Sequence, residues 1–452
     1  MLGKLTNSGI EPIRLHARGA LTIATMMVAA VVVGFNIGHE RWYLVAICIV
    51  VPVFLLWPVQ TALGLFAFLV PFDEVSILGD AASGTTLTYY VGAAAALIVF
   101  IVALLNQRIE LPPRPAAWWT ALVLWGSATA VWAINPALCL QRLPTAGSLL
   151  LLYLVAVSVR IDKDEFSWIA FAAILGGVVA ALYATSEFYH GRSYSDVETR
   201  AALILAGRET DPNQFAAALL APCALALGVV LYSSSRIRVM LSLAAAAVMA
   251  LATFLTMSRG GLVGILVILT YYLYKRRVSW RIMSPALILV LLLALMPGVF
   301  FARLERSGAD RGAGRLDIWR VGITALQHHA VLGVGLNNFP VVYQQFAGMA
   351  KVFHGYYRGP HNIYLGMAVE TGLVGFLMFA GALRSQFRSS HAVADARRVD
   401  RQWLVSCEAA CAGVLAAGFF LDIFWRKSFW LALILLTVAA RIHEVRYRQQ
   451  MP

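Results

Sequence analysis

Residues 239–274 read VMLSLAAAAVMALATFLTMSRGGLVGILVILTYYLY: two apolar runs, 239–257 and 260–274, joined through Ser258-Arg259. Arg259 is the single charged residue in the stretch. The runs are continuous rather than alternating. That pattern fits membrane helices, for which about 20 residues span a bilayer core, and not the dyad alternation of a β-barrel. The stretch is therefore a tight helical hairpin with an arginine at its turn.

The same texture extends both ways along the 452 residues. The chain is 60% hydrophobic and 13% charged, against about 25% charged in a soluble domain. Apolar runs fall at 20–38, 42–57, 59–72, 88–105, 117–134, 145–159, 166–185, 213–232, 239–257, 260–274, 283–300, 361–383, 404–421 and 427–441. The expected fold is all-α and polytopic, with 12–14 transmembrane helices, since some closely spaced runs would serve as re-entrant pieces. The first run carries no cleavage site after it and reads as a signal anchor. The five cysteines, Cys48, Cys139, Cys223, Cys407 and Cys411, form no disulfide or metal framework and read as small packing residues.

Lysine and arginine set the orientation. Alternate loops hold Lys4, Arg14 and Arg18; Arg108 and Arg114; Arg160 and Lys163; Arg236 and Arg238; Lys275, Arg276, Arg277 and Arg281; Arg384, Arg388, Arg397, Arg398 and Arg401; and Arg441, Arg446 and Arg448. The positive-inside rule puts these loops and both termini in the cytoplasm. It also explains most of the net charge of +13 without a nucleic-acid partner. Three regions follow: 1–300, transmembrane with a short outward loop at 186–212; 301–360, an outward loop or small helical cap; and 361–452, the last transmembrane helices.

The outward loop 301–360 breaks the charge pattern. It carries Arg303, Arg306, Arg311, Arg315, Arg320, Lys351 and Arg358 against Glu305, Asp310 and Asp317. Arginine meets phosphate oxygens in a bidentate fork, so an outward cluster of arginines beside a membrane points to an anionic ligand. A solvated basic surface facing lipid headgroups is the plain alternative. Arg259 sits where charge is costly and functional roles concentrate, or else snorkels to the interface. Gly260 and Gly261 would let a phosphate or another helix come close. Arg208 precedes Asp211-Pro212-Asn213, which reads as the capped start of a helix and so also attracts anions. His361-Asn362 opens the run at 361–383. Arg208, Arg259 and His361 thus share one expected membrane depth. The outward segments show no acidic pair or His/Asp/Glu set with ligand spacing beyond Asp73-Glu74, and His328-His329 point apart on a helix.

These pieces carry a resemblance. Asp211-Pro212-Asn213, Ser258-Arg259-Gly260, Gly314-Arg315-Leu316-Asp317-Ile318-Trp319, Gly333-Val334-Gly335-Leu336-Asn337-Asn338-Phe339 and His361-Asn362 with Glu370-Thr371-Gly372, in that order, resemble the O-antigen ligase and O-antigen polymerase superfamily. The resemblance covers about 200–380. It implies a glycosyltransferase C-like fold in the bacterial inner membrane, with the active site on the periplasmic face. The implied reaction is inverting and needs neither metal nor cofactor. Its donor would be a glycan on undecaprenyl diphosphate and its acceptor lipid A–core, for lipopolysaccharide biosynthesis. Arg208, Arg259, Arg311 and Arg315 would bind the diphosphate, with Arg259 and His361 catalytic and His361 the base. Asn213, Asn338 and Asn362 would hydrogen-bond phosphate or sugar; Trp319 and Tyr357 would stack on sugar rings.

Ligase and polymerase share these motifs. Polymerases often show two comparable outward loops, each with an arginine eleven residues before a glycine. Arg303 and Gly314 have that spacing here, but 186–212 has no such pair. One dominant loop favours the ligase. An anionic-lipid transporter would use intramembrane arginines too, yet the two halves show no repeat.

Overall fold

The computed structural model describes residues 56–75, 86–194, 200–205, 208–275, 314–351, 355, 357–394 and 401–450. The expected runs at 20–38 and 283–300, most of 42–57, and Arg303, Arg306 and Arg311 lie outside these residues. Helix α1 (Pro58–Leu69) runs into a 3-10 segment, Val70–Val75. Next come α2 (Leu87–Leu105), α3 (Arg114–Ala128), α4 (Pro136–Val157) and α5 (Lys163–Tyr189). A hairpin of two-residue strands, β1 (Ile204–Leu205) and β2 (Arg208–Glu209), leads into α6 (Pro212–Tyr232), α7 (Arg236–Leu255) and α8 (Arg259–Lys275). Two short helices follow, α9 (Arg315–His328) and α10 (Phe339–Phe346). The chain closes with α11 (Ile363–Ala394), α12 (Gln402–Gly418) and α13 (Lys427–Gln450).

The protein is an all-α polytopic membrane protein. Among the described residues, α2, α4, α5, α6, α7 and α11 are long and apolar enough to cross a membrane. Helix α6 is apolar on every side, as a helix enclosed by others must be, and 94% of its apolar window is buried. Small residues let its neighbours close in, because lipid supplies no hydrophobic force between helices and packing must do so. Where α8 meets α12, a Cβ on Gly264 would lie 3.0 Å from the Gly413 carbonyl oxygen, and one on Gly413 would lie 2.9 Å from that of Gly264.

Of the basic residues assigned to one side, Arg108, Arg160 and Arg441 meet at one end of the bundle. Arg108 pairs with Glu165 at 2.7 Å, and Arg441 pairs with Glu110 at 2.8 Å. Asp162 and Glu165 form a reciprocal capping box at the start of α5. The opposite end carries the mouths of α6, α8 and α11.

Helices α9 and α10 form a cap with its own apolar centre of Ile318, Val321, Ala325, Val334, Phe339, Val342 and Tyr343, seated on Val369 of α11. The run 361–383, read as one span, is broken at Gly372, where φ is +69°. The freed backbone is satisfied by the cap: Val334 N–H donates to the Val369 carbonyl (3.0 Å), Gly335 N–H to that of Glu370 (2.9 Å), and Leu373 N–H to that of Ala330 (2.8 Å). A Cβ at Gly372 would sit 2.1 Å from the Val331 carbonyl oxygen. Gly372→Val is therefore expected to destabilise the protein by more than about 2 kcal/mol through strain and overlap. A thermal melt of the purified protein, several degrees below wild type, checks this.

Candidate active site

At the end opposite the Arg108–Glu165 pair, a cavity of ≈ 380 Å³ opens between the helix mouths. Its wall includes Arg200, Asp211, Asn213, Gln214, Arg259, Arg315, His361, Asp422 and Arg426. Local chain geometry places each group. Asp211 caps α6, accepting from the Asn213 N–H at 2.7 Å and the Gln214 N–H at 3.4 Å, with Pro212 in the first turn. That leaves Asn213 and Gln214 at the rim.

Arg259 is the first residue of α8. The turn before it is set by Met257 at φ +53°, and the Ser258 hydroxyl accepts from the Gly261 N–H at 3.2 Å. Gly261 serves helix packing: a Cβ there would lie 2.7 Å from Ala216 Cβ of α6. Arg315 opens α9 behind Gly314, whose φ of +76° suits glycine. His361 has φ +44°, a left-handed conformation that costs a non-glycine residue energy and recurs at functional sites.

Arginines from four separate stretches, Arg200, Arg259, Arg315 and Arg426, and one histidine thus face a common polar space. Burial, then the neighbouring Arg315 charge, hold the His361 imidazole below the usual histidine range; Arg358 adds to this and Asp211 opposes it. Burial pushes the Asp422 carboxyl up, against Arg426 and Arg142.

Most of the other expected site residues sit elsewhere. Arg208 lies in β2 and is not part of the cavity wall. Arg311 is outside the described residues. Asn362 caps α11, accepting from the Tyr364 and Leu365 N–H groups at 2.9 and 3.0 Å. Asn338 is wholly buried beneath the cap, where its amide donates to the Asn135 and Leu336 carbonyls. Trp319 donates to the Pro360 carbonyl at 3.2 Å and meets Phe419 edge-on at 5.5 Å. Tyr357 is 61% exposed. Asn213 lines the cavity, and its Oδ1 accepts from Arg200 at 2.9 Å.

Arg200, Asp422 and Arg426 are wall residues that the sequence reading passed over. Arg200 also donates to the Thr256 carbonyl at 2.8 Å, tying the 186–212 loop to the turn before Arg259. The signal for Arg426 was an Arg-Lys pair at the start of α13. Asp73 and Glu74, the best acidic candidates for a metal, are ion-paired with Lys427 (2.7 Å) and Arg426 (2.5 Å). Among the described residues no group of three or more His, Cys, Asp or Glu side chains could hold a metal ion.

Fold and site together define a polytopic membrane protein with a cationic, histidine-bearing cavity at one end of its helical bundle. Residues 244–380 match the family model described as O-antigen ligase. Less than half of the chain is covered, and the similarity to that family rests on this stretch. It contains Arg259, Arg315 and His361. No curated protein matches the chain.

Proposed function

We propose that the protein is an O-antigen ligase. It moves a glycan from undecaprenyl diphosphate to lipid A–core at the periplasmic face of the bacterial inner membrane. The observation that carries this reading is the convergence of Arg259, Arg315 and His361 on one cavity, within the stretch that matches the family. The acceptor hydroxyl oxygen attacks the anomeric carbon from the face opposite the diphosphate, which inverts the centre. The bond from that carbon to the diphosphate oxygen breaks, and its electron pair leaves with the diphosphate. Arg259 and Arg315 neutralise the charge that develops there, which is where preorganised cations act most strongly. His361 takes the hydroxyl proton. Its lowered pKa suits this, because the ring is neutral and able to accept at pH 7.

Arginine rather than a metal supplies the neutralisation in this reading. Activity is expected to survive chelator in the purified enzyme; loss that magnesium restores would refute it. The gene's deletion phenotype separates the two activities. Bare core with accumulated long lipid-linked glycan marks lost ligation. Core bearing a single repeat unit marks lost polymerisation and would make the protein a polymerase.

The pH profile tests the histidine. A base must be unprotonated, so the rate falls as pH drops through the His361 pKa, which lies below the usual value. The Arg315 charge contributes to that lowering. Arg315→Gln is expected to move the acidic limb to higher pH as well as slow the reaction. An unmoved limb would argue against His361 as the group that titrates.

A further inference from the structure

The cavity wall is organised by a carboxylate outside it. Glu74 lies in the 3-10 segment Val70–Val75, far in sequence from the family-matched stretch. One of its oxygens accepts from Arg426 Nη1 at 2.5 Å, and the other accepts from the Asp211 N–H at 2.8 Å. A single side chain thus joins the start of α13 to the cap of α6. The connection continues along the wall, because Asp211 accepts from Asn213, and Asn213 accepts from Arg200.

The adjacent pair behaves differently. Asp73 accepts from Lys427 at 2.7 Å and from the Thr86 hydroxyl at 2.7 Å. Neither Asp73 nor Lys427 lines the cavity. The Arg426 side chain is 39% exposed, against 16% for Lys427. Of the two ion pairs, the Arg426 pair alone presents a cation to the cavity. A guanidinium has five N–H donors in a planar fork. With Nη1 given to Glu74, the others are able to meet a second anion without leaving the first.

We infer that Arg426 is a further ligand for the anionic group bound in the cavity, and that Glu74 is the positioning residue that aims it. This rests on the proposed diphosphate site. Glu74→Gln keeps the shape but removes the charge that orients Arg426, so the arginine swings out of register.

The test is binding of inorganic pyrophosphate to the purified full-length chain in lipid nanodiscs, with a thermal melt for each variant. Arg426→Gln is expected to weaken binding about tenfold and Glu74→Gln at least threefold, on the scale of a lost charge-assisted hydrogen bond. The double variant binds about as weakly as Arg426→Gln, because the two act through one contact. Asp73→Asn lowers the melting temperature but leaves the affinity unchanged. Should Glu74→Gln not fold, Glu74→Asp takes its place. Wild-type affinity in Arg426→Gln, with binding lost in Arg259→Gln, would overturn this inference and leave the site standing. An equal loss in Asp73→Asn would reduce Glu74 to a general strut and also overturn it. Wild-type affinity in Arg259→Gln would overturn the diphosphate site itself.

Discussion

Arg259→Ala is expected to lower glycan transfer by ~10²–10³-fold, the range seen when one preorganised group facing developing charge is removed. The side chain begins α8 at the cavity wall, after an apolar helix and before another. A charge in such a setting is expensive unless it does chemistry or pairs. The close approaches of this turn to Ala417 and Ala216 are made at Gly260 and Gly261, which the change leaves in place. Lipopolysaccharide gels would show core without an O-antigen ladder at normal protein levels. An intact ladder would remove Arg259 from the mechanism.

His361→Asn is expected to cost ~10²–10⁴-fold, the usual contribution of a general base. Asparagine is the informative replacement. It accepts the left-handed backbone that His361 adopts at φ +44°, since asparagine is enriched there. It keeps a polar side chain but cannot take a proton at neutral pH. A folded but inactive His361→Asn enzyme would separate chemistry from backbone strain. Wild-type turnover would assign His361 a purely conformational role.

The helices were legible because continuous apolar runs leave the backbone few other solutions in lipid. The start of α6 was legible too, since Asp211-Pro212 states both its cap and its first turn. The break in α11 was not. Glu370-Thr371-Gly372-Leu373 passes as ordinary apolar helix, and only the cap backbone arriving at Val331 and Gly333 makes the left-handed glycine necessary. In the cavity, Arg259 and His361 were legible from residue type at the mouths of spans, and Arg315 from the arginine cluster of the 301–360 loop. Arg208 drew attention in the 186–212 loop, yet the neighbouring Arg200 reaches the wall. Asn338 and Asn362 read as ligands, although asparagine serves equally well as a cap or a buried bridge, and sequence does not distinguish these uses. The pairing of Glu74 with Arg426 spans most of the chain. No local pattern encodes it, so an acidic pair that read as a metal candidate proves to be half of an ion-pair ladder.

The most direct test of the central claim is transfer by the purified protein in proteoliposomes, supplied with undecaprenyl-diphosphate-linked glycan and lipid A–core. The expected result is glycan on lipid A–core with release of undecaprenyl diphosphate, abolished in a folded Arg259→Ala protein. Failure of the wild type to transfer, or transfer by Arg259→Ala at the wild-type rate, would contradict it.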